Sequence, residues 1–240
     1  MYIRAVLFDA YGTLFDVYSV AVLAEALFPQ QGQALAQLWR DKQIEYTRLV
    51  SMSGSETQPR EPGGGSPWYR PFWDITRSAL RHAAERLQLQ LDSVAEAQLM
   101  DAYRHLVAFP ENREVLLELQ RRGLPTGILS NGDPGMLDAA VHSAGFGGLL
   151  QHVISVHSLR RFKTDPAAYA LGTAALGLPA RDILFVSSNG WDAIAATWFG
   201  YRTLWVNRSG APLEALGTSP THTGHSLRDV LPLCMAAALP

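Results

Sequence analysis

Five short, mostly apolar runs constrain the fold of this chain more than any other feature. They are IRAVLF from Ile3, LPTGILS from Leu124, HVISV from His152, DILFVSS from Asp182 and RTLWVN from Arg202. Because these runs do not alternate apolar with polar residues, they predict strands that are buried on both faces, as in a parallel sheet.

Helical patterns separate the last four of these runs. The segments begin at Pro134, Pro166 and Gly190, and each ends near a glycine that can cap a helix. Strands that alternate with helices predict an α/β fold, in which a doubly wound parallel sheet binds its ligands outside the carboxyl ends of the strands.

About a hundred residues without a strand pattern lie between the first and second runs. Three amphipathic segments within them, which begin at Gly32, Tyr69 and Asp92, predict helices. These helices are too many for a simple crossover. We therefore predict a helical cap domain at residues 16–105, inserted into a Rossmann-like core formed by residues 1–15 and 106–240.

Two further segments allow alternative interpretations. Residues 51–67 are rich in Gly, Pro and Ser, which predicts a loop that is either a tolerated surface insertion or a mobile lid over a site. The C-terminal DVLPLCMAAALP, from Asp229, predicts a packed terminal helix or a dimer contact.

Composition excludes several classes of protein. Hydrophobic residues make up 48% and charged residues 18%, which is typical of a globular enzyme. The net charge of −2 gives no indication of a nucleic-acid or membrane partner. A single cysteine, Cys234, excludes an internal disulfide, and no signal peptide or bilayer-spanning segment is apparent, so we expect a cytoplasmic protein.

Polar side chains follow four of the predicted strands. Because the carboxyl ends of parallel strands meet at one edge of a sheet, these side chains should converge on one site. They are Asp9, Tyr11 and Thr13 after the first strand, Ser130 and Asn131 after the second, Lys163 in the loop after the third, and Ser187, Ser188, Asn189 and Asp192 after the fourth.

Four segments resemble, in order and spacing, the four motifs of the haloacid dehalogenase superfamily. They are FDAYGTLFD, LSNGD, RFKTDPAAY and FVSSNGWDA. The segment LWRDKQIEY, around Arg40, is similar to one branch of it, the L-2-haloacid dehalogenases. The similarity extends from Tyr2 to about Ser226. It implies a Rossmann-like core with a cap and an aspartate nucleophile, Asp9.

Two substitutions in these motifs argue against a metal site. Phosphatases of this superfamily hold Mg²⁺ with carboxylates of the first and fourth motifs, since a hard cation requires clustered oxygen ligands. Here Tyr11 replaces the second carboxylate of the first motif, and Ser188 stands where the acidic pair of the fourth begins, which leaves Asp192. We therefore predict neither a metal nor another cofactor.

The resemblance also implies a role for each residue of the cluster. Lys163 would orient Asp9, Arg40 would bind the leaving halide with Asn131 and Trp191, and Ser130 would bind the substrate carboxylate. Hydrolysis of the resulting ester would depend on Asp192 with Lys163, Ser187, Asn189, Thr13 and Tyr169. An apolar wall that selects the substrate is expected from Tyr11, Ile44, Phe72 and Trp191.

Together these features predict a metal-independent hydrolase that converts short L-2-haloalkanoic acids into D-2-hydroxyalkanoic acids. Two alternatives remain open at this point. A phosphatase or phosphonate hydrolase of the same fold would require a carboxylate cluster for Mg²⁺, and a catalytically silent binding protein would form no ester on Asp9. The expected partner is a small 2-haloacid, and the resemblance also implies a homodimer.

Overall fold

The computed structural model describes residues 2–53 and 64–234. Within them, six strands form one parallel sheet in the order β3-β2-β1-β4-β5-β6. The strands are β1 (Ala5–Phe8), β2 (Thr126–Ser130), β3 (His152–Ser155), β4 (Ile183–Ser187), β5 (Arg202–Val206) and β6 (His222–Gly224). The predicted α/β fold with a doubly wound parallel sheet is confirmed.

All five predicted strands are present, and β1, β2 and β4 are buried along their whole length, as their apolar composition predicted. The prediction was wrong in detail for β3, which lies at the edge of the sheet and is only partly buried, with Val153 41% exposed. It also missed β6, because three residues, His-Thr-Gly, form no apolar run.

Nine α-helices are found in the described residues. They are α1 (Ala21–Leu27), α2 (Gly32–Met52), α3 (Phe72–Arg86), α4 (Ser93–Arg104), α5 (Asn112–Arg121), α6 (Pro134–Ser143), α7 (Pro166–Leu176), α8 (Gly190–Phe199) and α9 (Val230–Leu233). Helices α6, α7 and α8 connect consecutive strands as predicted. Helices α1 and α5 were not predicted.

Helices α1 to α4 form the segment inserted between β1 and α5. On α3, the buried residues Ile75, Ala79 and Ala83 recur at helical spacing and face α2 and the neighbouring helices. The indole N–H of Trp39 on α2 donates a 2.7 Å hydrogen bond to the carbonyl of Thr76 on α3. The predicted helices of the insertion are therefore present, whereas the domain bounds at residues 16–105 stay a prediction.

Two predicted segments fall largely outside the described residues. Ser51 and Met52 end α2, residues 54–63 are not described, and residues 64–68 contain no helix or strand. At the C-terminus only Val230–Leu233 is helical, and the rest of the predicted terminal helix, from residue 235, is likewise not described. Of the helices in the described ranges, none is long and apolar enough to cross a membrane.

Candidate active site

Asp9 directly follows β1 at the carboxyl edge of the sheet and is only 6% exposed. Three side chains donate hydrogen bonds to its carboxylate. The Lys163 ammonium bonds to Oδ1 at 3.0 Å. The Asn189 amide and the Thr13 hydroxyl bond to Oδ2 at 2.7 Å and 3.1 Å. Because both oxygens have partners on fixed elements, the carboxylate is held in one orientation.

Lys163 joins Asp9 to a second carboxylate. Its Nζ lies 3.0 Å from an oxygen of Asp9 and 3.0 Å from an oxygen of Asp192. Its backbone N–H donates a 2.8 Å hydrogen bond to Oδ1 of Asn131, which fixes the loop after β3 to the loop after β2. Burial acts to lower the pKa of Lys163, but Asp192 and Asp9 outweigh it and raise the pKa above the ordinary 10.5. A positive charge therefore lies between two carboxylates.

Asp192 lies in the first turn of α8 and is fully buried. Its other oxygen accepts a 2.7 Å hydrogen bond from the Tyr169 hydroxyl. Burial raises the pKa of Asp192 above the ordinary 3.8, although the nearby Lys163 opposes the shift. Burial, and then the charge of Asp192, also raise the pKa of the Tyr169 hydroxyl, so Tyr169 remains a hydrogen-bond donor. Asp192 is thus a stronger base than an exposed aspartate.

The loop after β4 is held by hydrogen bonds from its backbone N–H groups to two side-chain hydroxyls. The backbone N–H of Asn189 donates to the Ser187 hydroxyl at 3.2 Å, and that of Ser188 donates to the Thr13 hydroxyl at 2.8 Å. Thr13 in turn donates to Asp9. Ser187 therefore shapes the loop that carries Asn189, whereas Thr13 and Asn189 contact the Asp9 carboxylate itself.

Arg40 reaches this group of residues from α2. Its guanidinium donates to the Tyr11 carbonyl at 3.0 Å, to Oδ1 of Asn189 at 3.3 Å and to Oε1 of Gln43 at 2.7 Å. Arg40 is only 8% exposed, and no carboxylate in the described part of the chain lies within ion-pair distance of it. A buried cation without an acidic partner favours binding of an anion.

A small cavity of about 10 Å³ lies between the sheet edge and the inserted helices. Its apolar wall contains the four residues predicted for it, Tyr11, Ile44, Phe72 and Trp191. The polar residues that line it are Asp9, Arg40, Ser130, Asn131 and Asn189. The cavity thus combines one carboxylate, one unpaired cation, polar donors and an apolar surface, which is the composition expected of a site for a small amphipathic anion.

Close packing fixes the wall of the cavity. The Tyr11 ring lies between those of Tyr103 and Phe72, with centroids 5.7 Å from each. Gly132 lies against its edge, where an added Cβ would come within 2.7 Å of the Tyr11 ring. A glycine is therefore required beside Tyr11. The hydroxyl of Ser130 accepts a 3.1 Å hydrogen bond from the Gly132 N–H, which keeps this loop tight.

A second, larger groove of about 570 Å³ adjoins the cavity and shares Arg40, Ile44, Asn189 and Trp191 with it. The guanidinium of Arg48 lies 5.2 Å from the centre of the Trp191 ring at this groove. Its other lining residues include the exposed Leu49 and Met52. The groove and the cavity therefore lie next to each other.

The structure brings together all the site residues predicted from the sequence, either around Asp9 or in the layer that supports it. The sequence analysis missed Gln43 and Tyr103. The Tyr103 hydroxyl and the Arg40 guanidinium both donate to the Gln43 side-chain oxygen, at 3.0 Å and 2.7 Å. The position of Gln43, three residues after Arg40 on one helix, was a usable signal. Tyr103 gave none.

The chemistry of the donor set does not suit a divalent metal. In the residues that the structure describes, no group of three or more His, Cys, Asp or Glu side chains is placed to hold a metal ion. The Lys163 ammonium occupies the position between Asp9 and Asp192. A cation bound there would have to displace an ammonium that already satisfies both carboxylates.

Comparison with known proteins assigns a family. Residues 3–200 match the family described as haloacid dehalogenase-like hydrolase. The (S)-2-haloacid dehalogenase of Pseudomonas sp. strain YL is 42% identical over 99% of this chain and 97% of its own length.

Two solved structures support the same assignment. A crystal structure of an L-2-haloacid dehalogenase is 57% identical and superposes with a TM-score of 0.91 over 98% of this chain and 100% of its own. The L-2-haloacid dehalogenase of Xanthobacter autotrophicus with chloropropionic acid covalently bound is 36% identical, with a TM-score of 0.84 over 96% of this chain and 98% of its own. This chain belongs to the haloacid dehalogenase-like hydrolases and, within them, to the L-2-haloacid dehalogenase branch.

Proposed function

We propose that this chain hydrolyses the carbon–halogen bond of short L-2-haloalkanoic acids and releases halide and D-2-hydroxyalkanoic acids. One observation carries the proposal. Asp9 lines a small cavity, and its only cationic partner in the described residues is the ammonium of Lys163, 3.0 Å away, which also holds Asp192. The named activity of the relatives and the covalent adduct seen in one of them support this assignment.

Arg40 and the loop after β2 are suited to bind the substrate anion. Arg40 is buried at the cavity without an acidic partner, and Ser130 lies on the cavity surface. The cavity is small, at about 10 Å³, which favours a short substrate over a bulky one. The substrate carboxylate binds near Ser130 and the halogen near Arg40, Asn131 and Trp191. The substituent on C2 then lies against the apolar wall.

The first half-reaction is a displacement at C2. An oxygen of Asp9 forms a bond to C2, the C2–halogen bond breaks, and the halide leaves with its electron pair. Hydrogen bonds from Lys163, Asn189 and Thr13 orient the carboxylate, and such alignment can recover on the order of 7–11 kcal/mol of barrier. Donors at the halogen stabilise the charge that develops there. Attack opposite the leaving group inverts C2.

The second half-reaction hydrolyses the ester on Asp9. Water attacks the carbonyl carbon of Asp9 while Asp192, whose pKa is raised by burial, accepts a proton from it. The donors that orient Asp9 in the free enzyme also stabilise the negative oxygen of the tetrahedral intermediate. The intermediate collapses to carboxylate and hydroxyacid, and the leaving oxygen takes up a proton. Each turnover consumes one water and releases one halide ion and one proton.

Tyr169 and Ser187 support this chemistry indirectly. The hydroxyl of Tyr169 holds one oxygen of Asp192 at 2.7 Å, and Lys163 holds the other at 3.0 Å. The hydroxyl of Ser187 fixes the backbone of Asn189. We assign both residues to positioning. The homodimer and the cytoplasmic location stay predictions from the resemblance and the composition.

Halide release tests the proposal directly. The wild-type enzyme should release chloride from L-2-chloropropionate and from chloroacetate in the presence of EDTA, with D-lactate as the product of the former. Asp9→Asn and Asp9→Ala should release none. A screen of phosphate esters with Mg²⁺ is the matched test of the phosphatase alternative. Activity there, together with loss of halide release in EDTA, would overturn the proposal.

A further inference from the structure

Asp133 makes contacts that its sequence context does not predict. It precedes Pro134 at the start of α6, where an aspartate ordinarily caps its own helix, yet its side chain makes no capping hydrogen bond to α6. Instead its two carboxylate oxygens accept hydrogen bonds from the backbone N–H groups of Phe72 and Trp73, at 3.0 Å and 2.8 Å. Asp133 therefore caps α3, a helix 60 residues earlier in the chain.

Among the described residues, helix α3 has no other side-chain cap. The residue before it, Pro71, provides no side-chain hydrogen bond to the first turn. The first N–H groups of a helix lack partners within the helix, and a carboxylate placed there satisfies them and interacts favourably with the helix dipole. The start of α3 is thus fixed by a residue of the sheet edge.

The residue that Asp133 fixes is part of the cavity wall. Phe72 is 1% exposed, lines the cavity and packs against Tyr11, with ring centroids 5.7 Å apart. Asp133 does not line the cavity itself. It lies one residue after Gly132, the glycine packed against Tyr11. One short segment therefore contacts two residues of the wall, Tyr11 and Phe72.

Asp133 is held in turn by a neighbouring pair. Nδ1 of His157 lies 3.2 Å from a carboxylate oxygen of Asp133 and 2.9 Å from the Tyr69 hydroxyl. The Tyr69 ring packs against Phe162, next to Lys163, with centroids 5.3 Å apart. The carboxylate is therefore anchored between the inserted helices and the sheet edge, and is not a mobile surface group.

We propose that Asp133 is a positioning residue that sets the place of Phe72 and thereby the size of the C2 substituent that the cavity accepts. This inference rests on the proposed function and adds a selectivity determinant that contacts no substrate atom. Weakening or displacing this cap moves the first turn of α3 and the Phe72 ring with it. Discrimination between adjacent members of the haloacid series then falls, while the chemistry at Asp9 is retained.

The test compares chloroacetate, L-2-chloropropionate and L-2-chlorobutyrate as substrates of Asp133→Asn. One methylene in an apolar pocket changes kcat/KM by roughly 10- to 200-fold. When the Phe72 ring is held less firmly, the ratio of kcat/KM for chloropropionate to kcat/KM for chlorobutyrate should therefore fall by about three- to tenfold. The change should appear mainly in KM. Chloroacetate, which has no C2 substituent, should change by less than about twofold. Asp133→Glu, which keeps the charge but displaces it, should lower the ratio as well.

Asp92→Asn is the matched control. The carboxylate of Asp92 caps α4 through the N–H groups of Val94 and Ala95, at 3.0 Å and 2.8 Å, and does not line the cavity. Loss of the Asp92 carboxylate should leave the chloropropionate-to-chlorobutyrate ratio of kcat/KM unchanged. An equal change in both variants would assign the effect to general helix stability and overturn the inference.

A double-mutant cycle with Phe72→Ala identifies the route of the effect. If Asp133 acts through Phe72, Asp133→Asn should not lower the ratio further in the Phe72→Ala background. Additive effects of the two substitutions, or an unchanged ratio in both Asp133 variants, would overturn this inference alone. If the wild-type enzyme releases no halide from any of the three acids, the proposed function fails and the inference fails with it.

Discussion

The ammonium nitrogen of Lys163 lies 3.0 Å from a carboxylate oxygen of Asp9, and both side chains are at least nine-tenths buried. The same nitrogen lies 3.0 Å from Asp192. Three ionisable groups thus share one buried position, and the net charge of the three depends on whether Asp192 holds a proton. This arrangement connects the group that we propose attacks the substrate with the group that we propose activates water.

Replacing Lys163 by Met should abolish halide release and destabilise the fold. Without the ammonium, two buried carboxylates face each other, and breaking a buried ion pair in this way costs about 3–5 kcal/mol. The loss should be smaller near pH 5, where Asp192, whose pKa is raised by burial, takes up a proton more readily. Urea unfolding at pH 5 and at pH 8 measures this difference.

The double variant Lys163→Met/Asp192→Asn is the control for that prediction. It removes one of the two facing carboxylates and should regain part of the lost stability at pH 8. A single variant that is equally stable at both pH values, or a double variant that is less stable than the single one, would contradict the charge arrangement.

Asp192→Asn should arrest the reaction after the first half. The Asp9 carboxylate and the cavity remain, so the ester forms, but the group that accepts the proton from water is lost. Mass spectrometry after mixing with L-2-chloropropionate should detect one added 1-carboxyethyl group on the intact protein and, after proteolysis, on the peptide that contains Asp9. Asp9→Asn should gain no mass. Full turnover by Asp192→Asn at the wild-type rate would contradict the assigned role.

The pH profile should be broad and extend into the alkaline range. Activity requires Asp192 ionised and Lys163 protonated. The pKa of Asp192 is raised above 3.8 and that of Lys163 above 10.5, so activity rises with pH through the former and is lost only as pH increases through the latter. We expect kcat to rise with pH at values above the ordinary aspartate pKa and to fall only above about pH 10. A steep loss of steady-state halide release between about pH 7 and about pH 9 would contradict the role assigned to Lys163.

Arg40→Gln should reduce kcat/KM for L-2-chloropropionate by roughly 10²- to 10³-fold, the range found when one donor to a developing charge is removed. The residue is the buried cation of the cavity, whereas Lys42 on the same helix pairs with Glu45 at the surface. Lys42→Gln is therefore the matched control and should retain activity. Equal losses in both variants would indicate a general effect on α2.

Much of the fold followed from local patterns. The strands that end in Phe8, Ser130 and Ser187 are buried on both faces because helices cover the sheet, and that burial leaves a continuous apolar pattern in the sequence. The run at β3 has the same composition, but its position at the sheet edge depends on strand order, which no local pattern encodes. β6 is held by pairing with β5 and leaves too short a pattern to detect.

The positions of the residues that we propose take part in the reaction could be predicted for a similar reason. Asp9 stands at a strand end, Lys163 in the loop after a strand and Asp192 in the first turn of the helix that follows one, so the topology alone brings them together. Two supporting residues, Gln43 and Asp133, could not be predicted. Gln43 contacts Arg40 from the same helix but also depends on Tyr103 of another helix, and Asp133 leaves its local cap position for the amides of α3. Such contacts arise only from tertiary packing.

A single-turnover reaction in H₂¹⁸O, with enzyme in excess over L-2-chloropropionate and EDTA present, tests the central claim most directly. An ester on Asp9 transfers an existing carboxylate oxygen to the substrate, so the first lactate formed should contain no ¹⁸O, and the label should appear in the Asp9 carboxylate. Lactate that contains ¹⁸O after one turnover, with Asp9 unlabelled, would show direct attack by water and contradict the account.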